Sequence, residues 1–309
     1  MGSRKPAFEI VVSAENNPYL AWQAMLFHYS CVTRQKQTPV IMVHAQRGER
    51  LRAGFQWIRA AGGDVRRAPD YRRVGGVNYP PRHTAATLRH LETTADYIVL
   101  CDPDMLFLRS LPRTELRLAD DQVSFDFCGY LQPDAPVYQP TLDRVCRRAG
   151  VDPGRLRTPV IDGGVPHVVP RGVQRVLSDE WLAIIELFPT MPPTPLASSG
   201  ARTRGLHVGP QKDWLATMWA VLLATHRLGL SPVLTRLATT NFQGTRPLAD
   251  LHPPPHLLHY CYVDPGFNKH AFETSRDMAS RVWQVPRGDA TICGAIRRQL
   301  HAAREFYGR

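Results

Sequence analysis

Two carboxylates flank a single proline in Asp102-Pro103-Asp104, between two apolar runs, Tyr97 to Cys101 and Met105 to Leu108. Two such side chains on one short turn suit a hard divalent cation that also binds a diphosphate. Mg2+ and Mn2+ take oxygen ligands, and Mg2+ is commonly held by one or two carboxylates together with substrate phosphates. Asp-x-Asp alone is common in surface turns, so the flanking apolar runs single this one out. Asp162-Gly163-Gly164 precedes another apolar run. Paired glycines let backbone approach a sugar closely, and Asp162 can accept from sugar hydroxyls, although a plain turn reads equally well. Asp213 falls in the first turn of a helix, where capping explains a carboxylate and where the same position can aim it into a cleft. Arg82 stands just ahead of the helix leading to the acidic motif and offers a fork for a donor phosphate; Arg89, on that helix, reads equally as a solvated charge. His259, within Leu257-Leu258-His259-Tyr260-Cys261-Tyr262, offers a ring nitrogen and as a lone strand histidine reads first as a satisfied core residue.

Several chemistries are excluded. There is no Gly-x-Gly-x-x-Gly or Walker-type loop, which argues against a dehydrogenase or an ATPase, and no Gly-x-Ser-x-Gly elbow. The six cysteines form no Cys-x-x-Cys pair, which points to a reducing compartment and no zinc cluster. The longest apolar run, Trp214 to Thr225, falls well short of the roughly 20 residues that span a bilayer. The expectation is a soluble, cytoplasmic protein without a membrane anchor. The net charge of +11 comes almost wholly from arginine; it reflects either an arginine-rich genome or attraction to a polyanion such as nucleic acid.

The elements that must position these residues alternate. Phe8 to Ser13 reads as a strand, followed by a helix started by Asn16, Asn17 and Pro18 and running to about Thr33. Pro39 to His44 is a strand, Arg47 to Ala61 a helix closed by Gly62 and Gly63, and Asp64 to Arg67 a short strand. His83 to Thr94 reads as a helix, and Tyr97 to Cys101 as a strand covered on both faces. In open α/β sheets ligands bind beyond the carboxyl ends of the strands, where Asp102 and Asp104 fall. Beyond lie strands near Val123 to Cys128 and Val165 to Val169, helices from Arg171 to Leu187 and Gln211 to Leu228, a late strand from Leu257 to Val263 and a basic helix from Ala290 to Phe306. The loop from Pro189 to Pro210 carries Arg202 and Arg204 and reads as a lid, an acceptor loop or disorder. At 309 residues and 43% hydrophobic, one α/β domain is expected, with a donor half over 1–112 and an acceptor half over 113–309.

Five stretches resemble the hydroxyproline O-arabinosyltransferase and peptidyl-serine galactosyltransferase group: Phe8 to Gln23 with its Trp22-Gln23 pair, Tyr79 to Pro112, Thr158 to Val169, Trp214 to Ala220, and His259 to Tyr262. The family's acidic motif is Glu-Pro-Asp, so Asp102 stands for its glutamate. The resemblance implies a GT-A-like, mostly parallel mixed sheet flanked by helices. It also implies a retaining glycosyltransferase using Mn2+ or Mg2+ and a UDP-sugar. Asp102, Asp104 and His259 would be metal ligands, and Asp213 and Asp162 catalytic candidates. Ser13, Asn16, Arg82, Gly163, Gly164 and Asp102 would contact the nucleotide-sugar. Family members act in the secretory pathway on wall glycoproteins, whereas this chain carries no anchor signal and a large positive charge. That combination leads to the expectation of DNA as partner and a 5-hydroxymethylpyrimidine, such as hydroxymethylcytosine, as acceptor. Serine or hydroxyproline of a protein, or a small molecule, is the second expectation, and a non-catalytic basic binding module the third.

Overall fold

A computed structural model describes residues 7–114, 116–128, 131, 133–157, 163–191, 211–241, 243–272 and 281–308. Strand β1 (Phe8–Glu15) leads into helix α1 (Pro18–Arg34), which starts where expected: Asn17 is extended and its Oδ1 accepts from Leu20 N at 2.7 Å, with proline in the first turn. Strand β2 (Val40–Ala45) follows, then α2 (Ala53–Ala60) and β3 (Asp64–Pro69). Helix α2 starts six residues later than Arg47. Gly48 turns the chain at φ +80°, and Asn16 bonds Arg50 O at 3.0 Å and Arg52 N at 2.9 Å, holding residue 52 extended. Strands β4 (Arg73–Val74) and β5 (Val77–Asn78) make a hairpin over Gly75 and Gly76, both at positive φ, as a two-residue turn of this hand requires.

Helix α3 (Arg82–His90) ends four residues before Thr94 because Leu91 is already extended. The acidic motif joins β6 (Tyr97–Cys101) to β7 (Met105–Phe107). Then come β8 (Gln122–Asp126), α4 (Gln139–Ala149), β9 (Gly164–Pro170), α5 (Gln174–Leu187), β10 (Thr190–Met191), β11 (Gln211–Lys212) and α6 (Ala216–Arg227). The chain closes with β12 (Ser231–Thr235), β13 (Ala238–Thr240), β14 (Leu257–His259) and α7 (Ile292–Phe306). The helix expected from Gln211 begins only at Ala216, since Gln211 and Lys212 pair antiparallel with Met191 and Thr190.

One seven-stranded sheet, ordered β12-β8-β9-β6-β1-β2-β3, runs through the molecule, and all its strands but β9 point the same way. The period-2 alternation divides the strand residues between two cores. Val11, Ile98 and Leu100 face a cluster with α3, α5 and α6, while Ile10, Val12, Val99 and Cys101 face one with α1 and α2. The sheet draws strands from both 1–112 and 113–309, and chain and sheet form a single α/β domain. A second sheet, β13-β14-β7, lies where β6 ends. Helix α7 packs on α1 through a third core of Trp22, Leu26, Ile292, Ile296 and Leu300, together with Tyr260 and Phe267. Among the described residues no helix is long and apolar enough to cross a membrane, and all six cysteines are free.

Candidate metal and donor site

Register places the central residues. After β6 the chain turns through Asp102-Pro103-Asp104, with Met105 N bonded back to Asp102 O at 3.2 Å. Strand β7 pairs antiparallel with β14 so that Met105 faces His259, and Tyr260 N donates to Asp104 O at 2.9 Å. Residues 155 positions apart thereby meet: His259 Nε2 lies 3.1 Å from Asp104 Oδ1 and 3.9 Å from Asp102 Oδ2. One ligand atom from each of the three falls within 4.8 Å of the other two. Lys269, on a short 3-10 turn (Lys269–Phe272), pairs with Asp104 Oδ2. Sequence reading passed over Lys269 because nothing near it in the chain marks a site.

The charges are unequal. Asp102 keeps about a third of its side chain accessible, at 34%, and partial desolvation with the Asp104 charge raises its carboxyl to about 6. Desolvation acts the same way on Asp104, and is outweighed by the charges and hydrogen bonds of Lys269 and His259, which hold it well below the usual carboxylate range. Desolvation would deprotonate His259, but Asp104 overrides it and keeps the imidazole protonated well above its ordinary range. The same carboxylate raises Lys269 against its own desolvation. Two carboxylates and an imidazole at this spacing fit Mn2+, which accepts both oxygen and nitrogen donors, and Mg2+ less fully. Binding would require His259 to give up its proton.

The other expected residues separate into groups. The β1–β6 register, Val12 opposite Cys101, sets Ser13 beside Asp102 at the sheet edge. Asn16 is 6% exposed, and both ends of its amide hold the Arg50 to Arg52 loop, so its side chain does structural work instead of facing a donor. Arg82, 1% exposed, directs its donors to Glu186 at 2.7 and 3.2 Å and to the carbonyls of Arg72 and Val77. Its fork is closed by protein rather than open to phosphate, because the partner carboxylate lies 104 residues away and was invisible in sequence. A Cβ on Gly163 would meet Met218 O at 2.3 Å, and one on Gly164 would meet Asp126 O at 2.4 Å, so both glycines are required by backbone packed against backbone. Asp213 caps the turn into α6, its Oδ1 accepting from Leu215 N at 2.8 Å. Asp162, Arg202 and Arg204 lie outside the described residues. Glu15, also passed over in sequence, ends β1 only 7% exposed, paired with Arg72 at 2.8 Å and with Asn17 Nδ2 at 3.2 Å.

No protein-family model matches the chain, and no curated protein matches it in sequence. Solved glycosyltransferases do match in structure. The bifunctional glycosyltransferase WbbM is 11% identical with a TM-score of 0.45 over 87% of this chain and 48% of its own, so the chain spans about half of WbbM's length. An active-site mutant of LgtC is 12% identical with a TM-score of 0.50, covering 88% and 94% of the two chains. The galactosyltransferase LgtC in complex with donor and acceptor sugar analogues is 14% identical with a TM-score of 0.47, covering 90% and 97%. At such identities the likeness is one of fold, carried by the LgtC mutant. The chain has the GT-A type of mixed α/β fold, and the comparisons do not reach the narrower hydroxyproline O-arabinosyltransferase group.

Proposed function

We propose that the chain is a metal-dependent glycosyltransferase that moves a sugar from a nucleotide-sugar, with UDP as the expected nucleotide, to a hydroxyl acceptor. The observation that carries this reading is the convergence of Asp102, Asp104 and His259 at the carboxyl edge of a GT-A sheet. When bound there, Mn2+ or Mg2+ neutralises charge on the departing diphosphate. Asp102 and Asp104 supply the anionic ligands. His259, once deprotonated, supplies the nitrogen. Lys269 stands one contact away, where its ammonium meets the same phosphates, and Ser13 lies at the sheet edge beside Asp102. Asp213, on the turn into α6, is the candidate catalytic carboxylate, and retention of configuration belongs to the same reading. The test is Mn2+ titration with UDP present and absent, followed by mass spectrometry of products from a mixture of UDP-sugars. UDP binding that neither needs nor strengthens with Mn2+ overturns the reading.

A hydroxymethylpyrimidine in DNA was expected from the charge of +11 taken together with the lack of an anchor signal. Charge alone draws any polyanion.

A further inference from the structure

We propose that Phe127 and Arg236 form the acceptor subsite and that the ligand it takes is an anionic sugar, one carrying a carboxylate or a phosphate. This inference rests on the glycosyl-transfer reading above. Phe127 is the first residue past the end of β8, on the same edge of the sheet as Asp102. Strands β8 and β6 run in one direction with only β9 between them, which at about 4.8 Å per strand sets Phe127 roughly 10 Å along the edge from the acidic motif. That interval accommodates a donor sugar with an acceptor beside it.

The pair is held rigidly. Phe127 N donates to Thr235 O at 3.1 Å. The buried Asp126 carboxylate accepts from Thr235 Oγ1 at 3.1 Å, Leu237 N at 2.8 Å and Ala238 N at 2.7 Å, fixing the backbone on both sides of Arg236. The Arg236 guanidinium then stands over the Phe127 ring, 5.1 Å from its centroid. The phenyl is nevertheless 50% exposed, and Arg236 is exposed with no carboxylate partner among the described residues. Tyr262 is fixed by two bonds to Asn241, at 2.8 and 2.9 Å. The chain that leaves β14 after His259 is thus tied through Tyr262 to Asn241, which follows β13.

Chemistry follows from the pair. A phenyl face is negative and attracts the C–H face of a pyranose. Stacking on the ring leaves the guanidinium edge free, and its fork matches carboxylate and phosphate. One ring and one fork suit one sugar with one charge, whereas a nucleic-acid strand needs a track of phosphate contacts.

The experiment titrates cellobiouronic acid and cellobiose, which differ by one carboxylate, against the full chain by calorimetry. The acid is expected to bind about tenfold tighter, as one charge-assisted hydrogen-bonded pair gives. Arg236→Gln should bring that ratio close to one, and Phe127→Ala should weaken both sugars; both side chains are exposed, and circular dichroism verifies that the variants are folded. Equal binding of the two sugars to the wild type, or a ratio that survives Arg236→Gln, overturns the proposal. So does a single-stranded oligonucleotide that displaces the acid and loses affinity in both variants, which assigns the edge to nucleic acid. Wild-type Mn2+ and UDP titrations run alongside: if these fail while the acid still binds through Arg236, the anionic subsite stands and the transfer reading falls.

Discussion

Asp104 and Asp126 are two buried carboxylates at the carboxyl edge of one sheet, and they are stabilised in opposite ways. Asp126, fully buried at the end of β8, accepts from two backbone amides and the Thr235 hydroxyl. These neutral donors belong to a single turn, and burial outweighs them, raising the carboxyl to about 6. Asp104, 6% exposed, has His259 and Lys269 as its side-chain partners, both cationic and both arriving from distant segments. Neutral fixed donors tie backbone together and have nothing to exchange. Cations delivered by separate segments can be exchanged for another cation, so the contrast separates a residue that holds the fold from one that holds a ligand.

Asp104→Ala tests the contrast most severely. Loss of a metal ligand removes several kcal/mol of transition-state stabilisation, so transfer should fall by about a thousandfold or more, and the urea midpoint should fall too, because His259 and Lys269 are left buried without their counter-charge. Full turnover by this variant in the presence of a chelator would abolish the distinction. Asp126→Ala should cost stability without breaking any charge pair. It leaves two amides and a hydroxyl buried without an acceptor, a loss of about 3 kcal/mol in urea unfolding. A neutral outcome would mean that water satisfies the turn and that Asp126 is not its tie.

The distinction was only half legible in sequence. Strand β6 has the boundaries expected of it, Tyr97 to Cys101, because an unbroken apolar run ending in aspartate admits little else. The acidic turn followed from that strand. Asp126 sits in Ser124-Phe125-Asp126-Phe127, which reads as an ordinary strand end; its role comes from β12, which pairs with β8 across 109 residues. Lys269 and the Glu186 partner of Arg82 were hidden for the same reason: long-range pairing sets them, and local pattern does not encode it. Helix α2 started late for a related cause, since the side chain of Asn16 holds the preceding loop extended.

The same contrast extends to histidines and to pH. His259 is held protonated by Asp104, whereas His167, between Phe125 at 5.1 Å and Trp181 at 5.7 Å, is lowered by burial to about 3. A depressed histidine pKa means that the unfolded chain binds the proton more readily below 6.5. Stability is therefore intact above pH 6.5 and is lost as pH falls from there toward 3. At pH 5, 1.5 units below the unfolded value of 6.5, this costs about 2 kcal/mol. His28 and His44 are depressed likewise, so the difference between wild type and His167→Gln isolates one site. The wild type should lose about 2 kcal/mol relative to the variant between pH 8 and pH 5 in urea unfolding. Parallel pH profiles would show that His167 is protonated in the fold.

The smallest expected effect bears on the idea of exchange itself. Lys269 and a divalent cation are attracted to the same Asp104 oxygens, and they repel each other. If the lysine is an exchangeable counter-ion, Lys269→Met removes a competitor. Mn2+ affinity without nucleotide should then rise about tenfold, or roughly 1.4 kcal/mol, as read by electron paramagnetic resonance of free Mn2+. The gain should shrink at high salt, because screening weakens the repulsion that is being relieved. If Lys269 instead positions Asp104, as Thr235 and its neighbours position themselves around Asp126, the methionine variant leaves a buried carboxylate without its cation. Mn2+ affinity then falls at every ionic strength. A rise that is salt-sensitive keeps the two aspartates in different classes, and a fall that is salt-insensitive places Asp104 beside Asp126 as a residue of the fold.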